Sequence, residues 1–156
     1  MKLMIASDIH GSAYYCRKMI EAYHREGADR LLLLGDLLYH GPRNDLPKDY
    51  NPKEVISMLN GIKNELLCVR GNCDTEVDQM VLDFPILAEY CLLELDGHTI
   101  FATHGHNFNP DNFPAKFTVI DHVSMDGAFF WNGDGAWIHV SISTHILVRR
   151  NVGMSI

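Results

Sequence analysis

Four stretches of this chain end an apolar run in side chains that bind cations: "LMIASDIHG", "LLLLGDLLYHG", "ELLCVRGNCD" and "TIFATHGH". They supply Asp8, His10, Asp36, Asn72, Asp74, His104 and His106. Carboxylates, an amide oxygen and imidazoles form a mixed oxygen and nitrogen set. Such a set suits Mn²⁺, Zn²⁺ or Fe better than Ca²⁺, which prefers oxygen alone. There are more donors than one tetrahedral ion takes, so the set predicts two ions. Two ions about 3.5–4 Å apart need a bridging ligand, and a carboxylate at a rigid strand end suits that place. Asp36, on the central strand of the three parallel ones expected below, is the predicted bridge. A lone Asp after a strand is most often a turn or cap residue, and a lone Asn after Gly is most often a turn. Four strand ends furnished in the same way are poorly explained one residue at a time.

The elements that position these side chains follow from patterning. "KLMIAS" (2–7), "RLLLLG" (30–35) and "ELLCVRG" (65–71) are short apolar runs without a helical period, which predicts strands buried on both faces. Between the first two lies a helix that Ser12 can cap and Gly27 can end, with Met19, Ile20 and Tyr23 at helical spacing. Between the second and third lies "PKEVISMLNGIKN", with Pro52 suited to a first turn and Val55, Ile56 and Leu59 on one face. Strand, helix, strand, helix, strand predicts a parallel sheet with right-handed crossovers. In such sheets ligands bind at the carboxyl ends of the strands, where the polar cluster falls. The Pro- and Asn-rich loop 40–52 is longer than most connections and lies beside one of those ends. Farther on, "AEYCLLEL" and "HTIFATHG" flank Asp96-Gly97, a strong hairpin signal. From about residue 115 only short strand-like pieces appear, and no helix is evident.

The bulk properties bound the remainder. At 156 residues, 47% hydrophobic and 21% charged, the chain suits a single globular domain spanning 1–156. The longest apolar run is broken by Asp36, and "MKLMIASD" has no room for a signal-peptide apolar region, so a cytoplasmic protein without membrane association is expected. Cys16, Cys68, Cys73 and Cys91 form no CxxC pair and are expected to be reduced thiols. The net charge of -7 makes nucleic-acid binding unlikely. It also means that an anionic substrate needs a bound cation to reverse the local field. Self-association into a homo-oligomer is left open.

"DIHG", "GDLL", "GNCD" and "THGH", in this order, resemble the calcineurin-like metallophosphoesterases, and the wider text resembles the bacterial YfcE-type phosphodiesterases. The resemblance covers residues 1–114. It implies an α/β fold, an αββα sandwich of two mixed sheets flanked by helices, and a two-metal site. It implies that Asp8 and His10 bind a first metal, that Asp36 bridges, and that Asn72 and His104 bind a second, with Mn²⁺ favoured over Zn²⁺ or Fe. His106 would support the site or touch substrate. The implied reaction is hydrolysis of a small phosphodiester by a water that two metals activate. Asp74 could orient a neighbour. Cys73 stands where many relatives carry the His that protonates the leaving group, and a thiol near two cations tends to ionise. Protonation would then fall to His40 or His106, which favours good leaving groups such as aryl esters, and Arg43 could contact the phosphate.

One family motif, a late Gly-His-x-His, is missing. His122, His139 and His145 lack its spacing. A frameshifted or mis-joined tail over 115–156 is the expected explanation. The alternatives are a tail that supplies ligands differently, and an impaired member that acts as a binding or scaffold protein. A foreign tail would leave the second sheet incomplete, with apolar edge exposed.

Overall fold

Alternating strands and helices build the half of the chain that carries the polar clusters. In the computed structural model of the protein, residues 3–95, 98–108, 121–123, 128–131, 137–140 and 146–148 are described. Strands β1 (Leu3–Ala6), β2 (Arg30–Leu33) and β3 (Leu66–Cys68) pair in parallel, with Leu3 opposite Arg30 and Leu31 opposite Leu66. Helix α1 (Ala13–Glu26) joins the first two. The Ser12 hydroxyl accepts from the Tyr15 N–H at 3.2 Å, and Gly27 ends the helix in a left-handed conformation that costs glycine little. Helix α2 (Pro52–Gly61) starts at Asn51, whose side chain accepts from the Glu54 N–H at 3.3 Å. The sequence predicted helix to residue 64. Instead Ile62, after Gly61, leaves the helical region at φ -118, and a single 3₁₀ turn, Lys63–Glu65, leads into β3.

Alternate residues of these strands face opposite ways, which accounts for their unbroken apolar runs. Met4, Ala6, Leu31 and Leu33 pack with Cys16, Met19, Val55 and Leu59 of the two helices. Ile5, Leu32 and Leu34 pack against Ile100 and Ala102 of a second sheet. Fully burying one such Leu or Ile contributes roughly 1.5–3 kcal/mol. The second sheet comprises β4 (Cys91–Leu95) and β5 (His98–Ala102), an antiparallel pair, with β6 (Asp121–Val123) parallel to β5. Asp96 and Gly97 lie outside the described residues. The described layers are thus helix, mixed sheet and small mixed sheet.

The tail adds one strand to each sheet, and the second sheet stays small at three described strands. Besides β6, strand β9 (Ile146–Val148) runs antiparallel to β1, and β7 (Ala128–Trp131) pairs with β8 (Trp137–Val140). An open strand edge offers unpaired backbone groups to any extended segment that reaches it, whatever its side chains. His122 lies on β6 and His139 on β8, but their side chains, and all of His145, lie outside the described residues. One turn of helix, α3 (Glu76–Gln79), follows the third polar cluster. No helix among the described residues is long and apolar enough to cross a membrane.

The long loop is pinned at its far end. The Ala13 N–H donates to the Asp49 carbonyl at 2.9 Å, the Asn51 N–H to the Gly11 carbonyl at 2.8 Å, and Arg17 to the Asp49 carboxylate at 2.7 Å. Exposed ion pairs of that kind contribute about 0–1 kcal/mol, so the backbone bonds do most of the anchoring.

Candidate metal centre

Past the last residues of β1 and β2 the ladder continues in coiled form. The Asp8 N–H donates to Gly35 O at 3.0 Å, His10 N–H to Asp36 O at 2.8 Å, and Gly11 N–H to Leu37 O at 2.9 Å. Asp8, His10 and Asp36 all take positive φ there, at 59°, 48° and 57°. Left-handed backbone costs a non-glycine residue about 1–2 kcal/mol, and such conformations persist where the surroundings over-determine them. The bonds just named do so, and they turn three donor side chains toward one rim.

Two imidazoles are held by their Nδ1 atoms. His10 Nδ1–H donates to the Tyr39 carbonyl at 2.7 Å and His104 Nδ1–H to the Leu34 carbonyl at 2.9 Å. Each Nε2 is then left with its lone pair aimed at oxygen acceptors. His10 Nε2 lies 3.2 Å from Asp8 Oδ1 and 3.6 Å from Asp36 Oδ2. His104 Nε2 lies 2.9 Å from Asn72 Oδ1 and 3.8 Å from Asp36 Oδ2. Lone pair against lone pair is repulsive unless a cation sits between. A proton is one such cation: its bond to Asp8 raises the His10 pKa to about 9. Divalent metals are the other, and the donors fit them. Ligand atoms of His10, Asp36 and Cys73 lie within 4.8 Å of one another, as do those of Asp8, Asp36 and His104.

Asp36 belongs to both groups. It is buried, its Oδ1 accepts the Cys73 N–H at 2.7 Å, and its Oδ2 faces both imidazoles. Burial pushes the Asp8 carboxyl up, but hydrogen bonds from His10 and from the Ser7 hydroxyl hold it below the usual range.

Asp74 lies beneath the cluster, 1% exposed. Its carboxylate accepts three backbone N–H groups, from Gly71 at 2.7 Å, Asp36 at 2.8 Å and Leu37 at 2.9 Å. It orients the two loops that present Asp36 and Asn72. Burial pushes its carboxyl up and the three amides pull it back. Asp74→Asn would turn an NH₂ group on N–H donors. The expected loss is about 2–3 kcal/mol, or roughly 5–10 °C in melting temperature at this chain length. Calorimetry of metal-free protein checks this, and an unchanged melting temperature would contradict it.

The other candidates are spread around the rim. The Cys73 thiol receives Asn72 Nδ2–H at 3.2 Å. Without bound metal, burial and the Asp36 charge push it up to about 12, so the ionised thiol expected beside two cations would form only where those cations outweigh that carboxylate. The exposed His106 ring packs edge-on to His104 at 5.2 Å; burial of part of the ring and the charge of His104 lower its pKa. His40 stands between Tyr39 and Tyr50, ring centroids 5.0 and 5.3 Å away. Arg43 is exposed on the same loop. Sequence reading missed the carbonyls of Leu34 and Tyr39, which carry no side-chain signal. It also missed Gly35 and Gly71, although a Gly precedes the donor in both motifs: a Cβ on Gly35 would lie 2.1 Å from Gly71 N.

Comparison with known proteins follows the same residues. Residues 1–126 match the model of the calcineurin-like phosphoesterase superfamily domain. Over 115 residues the chain is 50% identical to "Phosphodiesterase YfcE" of Escherichia coli (strain K12), covering 74% of this chain and 62% of that protein. The protein of the same name from Escherichia coli O157:H7 gives the same figures. The solved structure of Yfce, a phosphoesterase from E. coli, is similar with a TM-score of 0.72 at 50% identity, covering 74% of this chain and 63% of that one. The chain spans less than two thirds of the length of these relatives.

Proposed function

The chain belongs to the calcineurin-like phosphoesterase superfamily, and from that membership we propose that it hydrolyses phosphodiester bonds using two divalent metal ions. The observation that carries this reading is the place of Asp36 in both donor groups, with an imidazole on either side of its Oδ2. Following the family pattern, Asp8 and His10, 3.2 Å apart, would hold one ion and Asn72 and His104, 2.9 Å apart, the other, with Asp36 shared. The two tight donor groups instead set Asp8 with His104 and Cys73 with His10. Mn²⁺ is the favoured metal, and Zn²⁺ or Fe suit similar donors. When bound, two such ions bring the pKa of water toward neutrality and offset charge on phosphate oxygens.

The chain's own residues do the rest. The carbonyls of Leu34 and Tyr39 keep both Nε2 atoms aimed inward, so the donors are set before substrate arrives. Asn72 is a neutral ligand, which limits the negative charge at the rim. The Cys73 thiol is a weak donor, so protonation of the departing ester oxygen falls to His106, exposed beside His104. Weak protonation favours esters whose alcohol leaves easily, such as aryl phosphodiesters. Arg43 and His40, on the loop that starts at the Asp36 rim, are the proposed phosphate contacts. The substrate is small, the net charge of -7 disfavours nucleic acid, and the proposed place of action is the cytoplasm.

The missing Gly-His-x-His motif favours one further reading, a binding protein on the same fold. Metal content and hydrolysis of bis(4-nitrophenyl) phosphate separate the two. Two metal equivalents per chain are expected, with activity abolished by chelator and restored by Mn²⁺. Full activity in excess chelator would defeat the two-metal reading, and metal-free protein without activity would favour the binding protein. A version whose tail restores Gly-His-x-His is expected to hydrolyse the ester about 10²-fold faster, since small misplacements of reacting groups have effects of that size. Equal metal content, melting temperature and rate would show that His122, His139 or His145 already supply the missing imidazoles.

A further inference from the structure

The residues that hold the proposed second ion, Asn72 and His104, come from different sheets. Asn72 follows β3 and His104 follows β5, so no shared ladder fixes their separation. A short segment before β4 does reach both loops. On the Asn72 side, the Arg70 N–H donates to the Ala88 carbonyl at 2.8 Å. Arg70 Nη1 donates to Glu89 Oε1 at 3.4 Å, and Arg70 Nε to the Asp74 carbonyl at 3.2 Å, which closes Arg70 around residues 70–74. On the His104 side, the buried Thr103 hydroxyl donates to the Glu89 carbonyl at 3.1 Å, and Asn107 Nδ2 donates to Glu89 Oε2. The two oxygens of one carboxylate thus reach residues that flank the two donors. Aromatic packing supports the same loop, with Tyr90 stacked on Phe101 at 4.9 Å and Phe108 edge-on to Phe101 at 5.7 Å.

We propose that Glu89 is a positioning residue for the second ion: by tying the Asn72 loop to the His104 loop, it sets the distance between those donors. The inference rests on the two-metal reading above. A carboxylate–guanidinium pair that is still about a third exposed contributes little to stability by itself. Partners that orient ligands nonetheless change metal affinity about 10–100-fold when removed. Glu89 is half-buried, with its side chain 37% exposed, so the expected signature is a local loss at one ion rather than a global one.

The test is a stepwise Mn²⁺ titration of the full chain by calorimetry, with amide hydrogen exchange of the metal-free protein. The parent is expected to bind in two steps. In Glu89→Ala one of the two steps should lose affinity at least about tenfold, with the other step and the melting temperature nearly unchanged. Exchange should rise in residues 70–74 and 103–108 only. Glu89→Gln, which keeps one acceptor oxygen but turns its NH₂ on the second donor, should recover only part of the affinity, and Asn107→Ala should reproduce part of the loss. Unchanged binding in Glu89→Ala, or equal weakening of both steps with a lower melting temperature, would overturn the inference. A parent that binds no metal would overturn the two-metal reading and this inference with it. A parent that binds two ions alongside an unaffected variant would overturn the inference alone.

Discussion

Asp36→Asn is expected to reduce the proposed phosphodiesterase activity more than a change at any other proposed ligand, by at least about 10²-fold. The side chain has two tasks that an amide cannot share. Its Oδ1 accepts the Cys73 N–H at 2.7 Å, and its Oδ2 stands 3.6 Å from His10 Nε2 and 3.8 Å from His104 Nε2. With the amide oxygen on Cys73, the NH₂ group would point into the cluster, where it can bind no cation. Flipped, it would set N–H against N–H. Either way one of the two negative charges is lost, and two divalent ions would repel each other across Asp8 alone. Both ions should therefore weaken, whereas Asp8→Asn should weaken chiefly the ion shared with His10. Metal content and hydrolysis rates of both variants decide the matter. Near-normal activity in Asp36→Asn beside an inactive Asp8→Asn would refute the bridging place.

The convergence on Asp36 was legible because it follows from topology. Three apolar runs separated by helices put their carboxyl ends on one rim, and Asp8, His10 and Asp36 are the residues past two of those ends. His104 was legible for a similar reason, since β5 packs its Ile100 and Ala102 on the same sheet. What could not be read is how each side chain is aimed. Positive φ at Asp8, His10 and Asp36 comes from long-range amide bonds, and nothing in "SDIHG" announces it. The carbonyls that set the imidazoles belong to a Leu and a Tyr whose side chains play no part in it. Asp74 reads as a residue that orients a neighbour, but nothing in the sequence says that the neighbours are three backbone amides of two different loops. Glu89 precedes a strand with no motif around it. The tail was illegible for another reason: β6–β9 are strands of three or four residues, too short to show a period.

The largest structural effect is expected at a residue that binds nothing. A Cβ on Gly71 would fall 2.1 Å from Asp36 Oδ1 and 2.3 Å from Asp36 N, and Gly71 itself lies under Gly35, whose φ is +103. Neither obstacle is the free end of a flexible side chain. The Asp36 backbone is held by Asp74, and its carboxylate by Cys73. Gly71→Ala must therefore push the β3 loop away from the β2 loop, breaking the Gly71 and Asp36 bonds to Asp74 and moving Asn72 away from His104. Overpacking of a rigid contact costs about 1–3 kcal/mol and sometimes more, and the lost amide bonds add to it. A loss of about 3 kcal/mol corresponds to roughly 10 °C at this length. Gly61→Ala is the control. Nothing lies within 4 Å of its Cβ, it closes α2, and it should be neutral or slightly stabilising. Thermal unfolding of both variants, with Mn²⁺ content measured alongside, makes the comparison. If Gly71→Ala melts with the parent and keeps its metal, the two loops are not locked together as described. If it melts low and loses metal while Gly61→Ala does neither, the geometry of the site depends on that glycine contact as much as on the residues proposed to hold the ions.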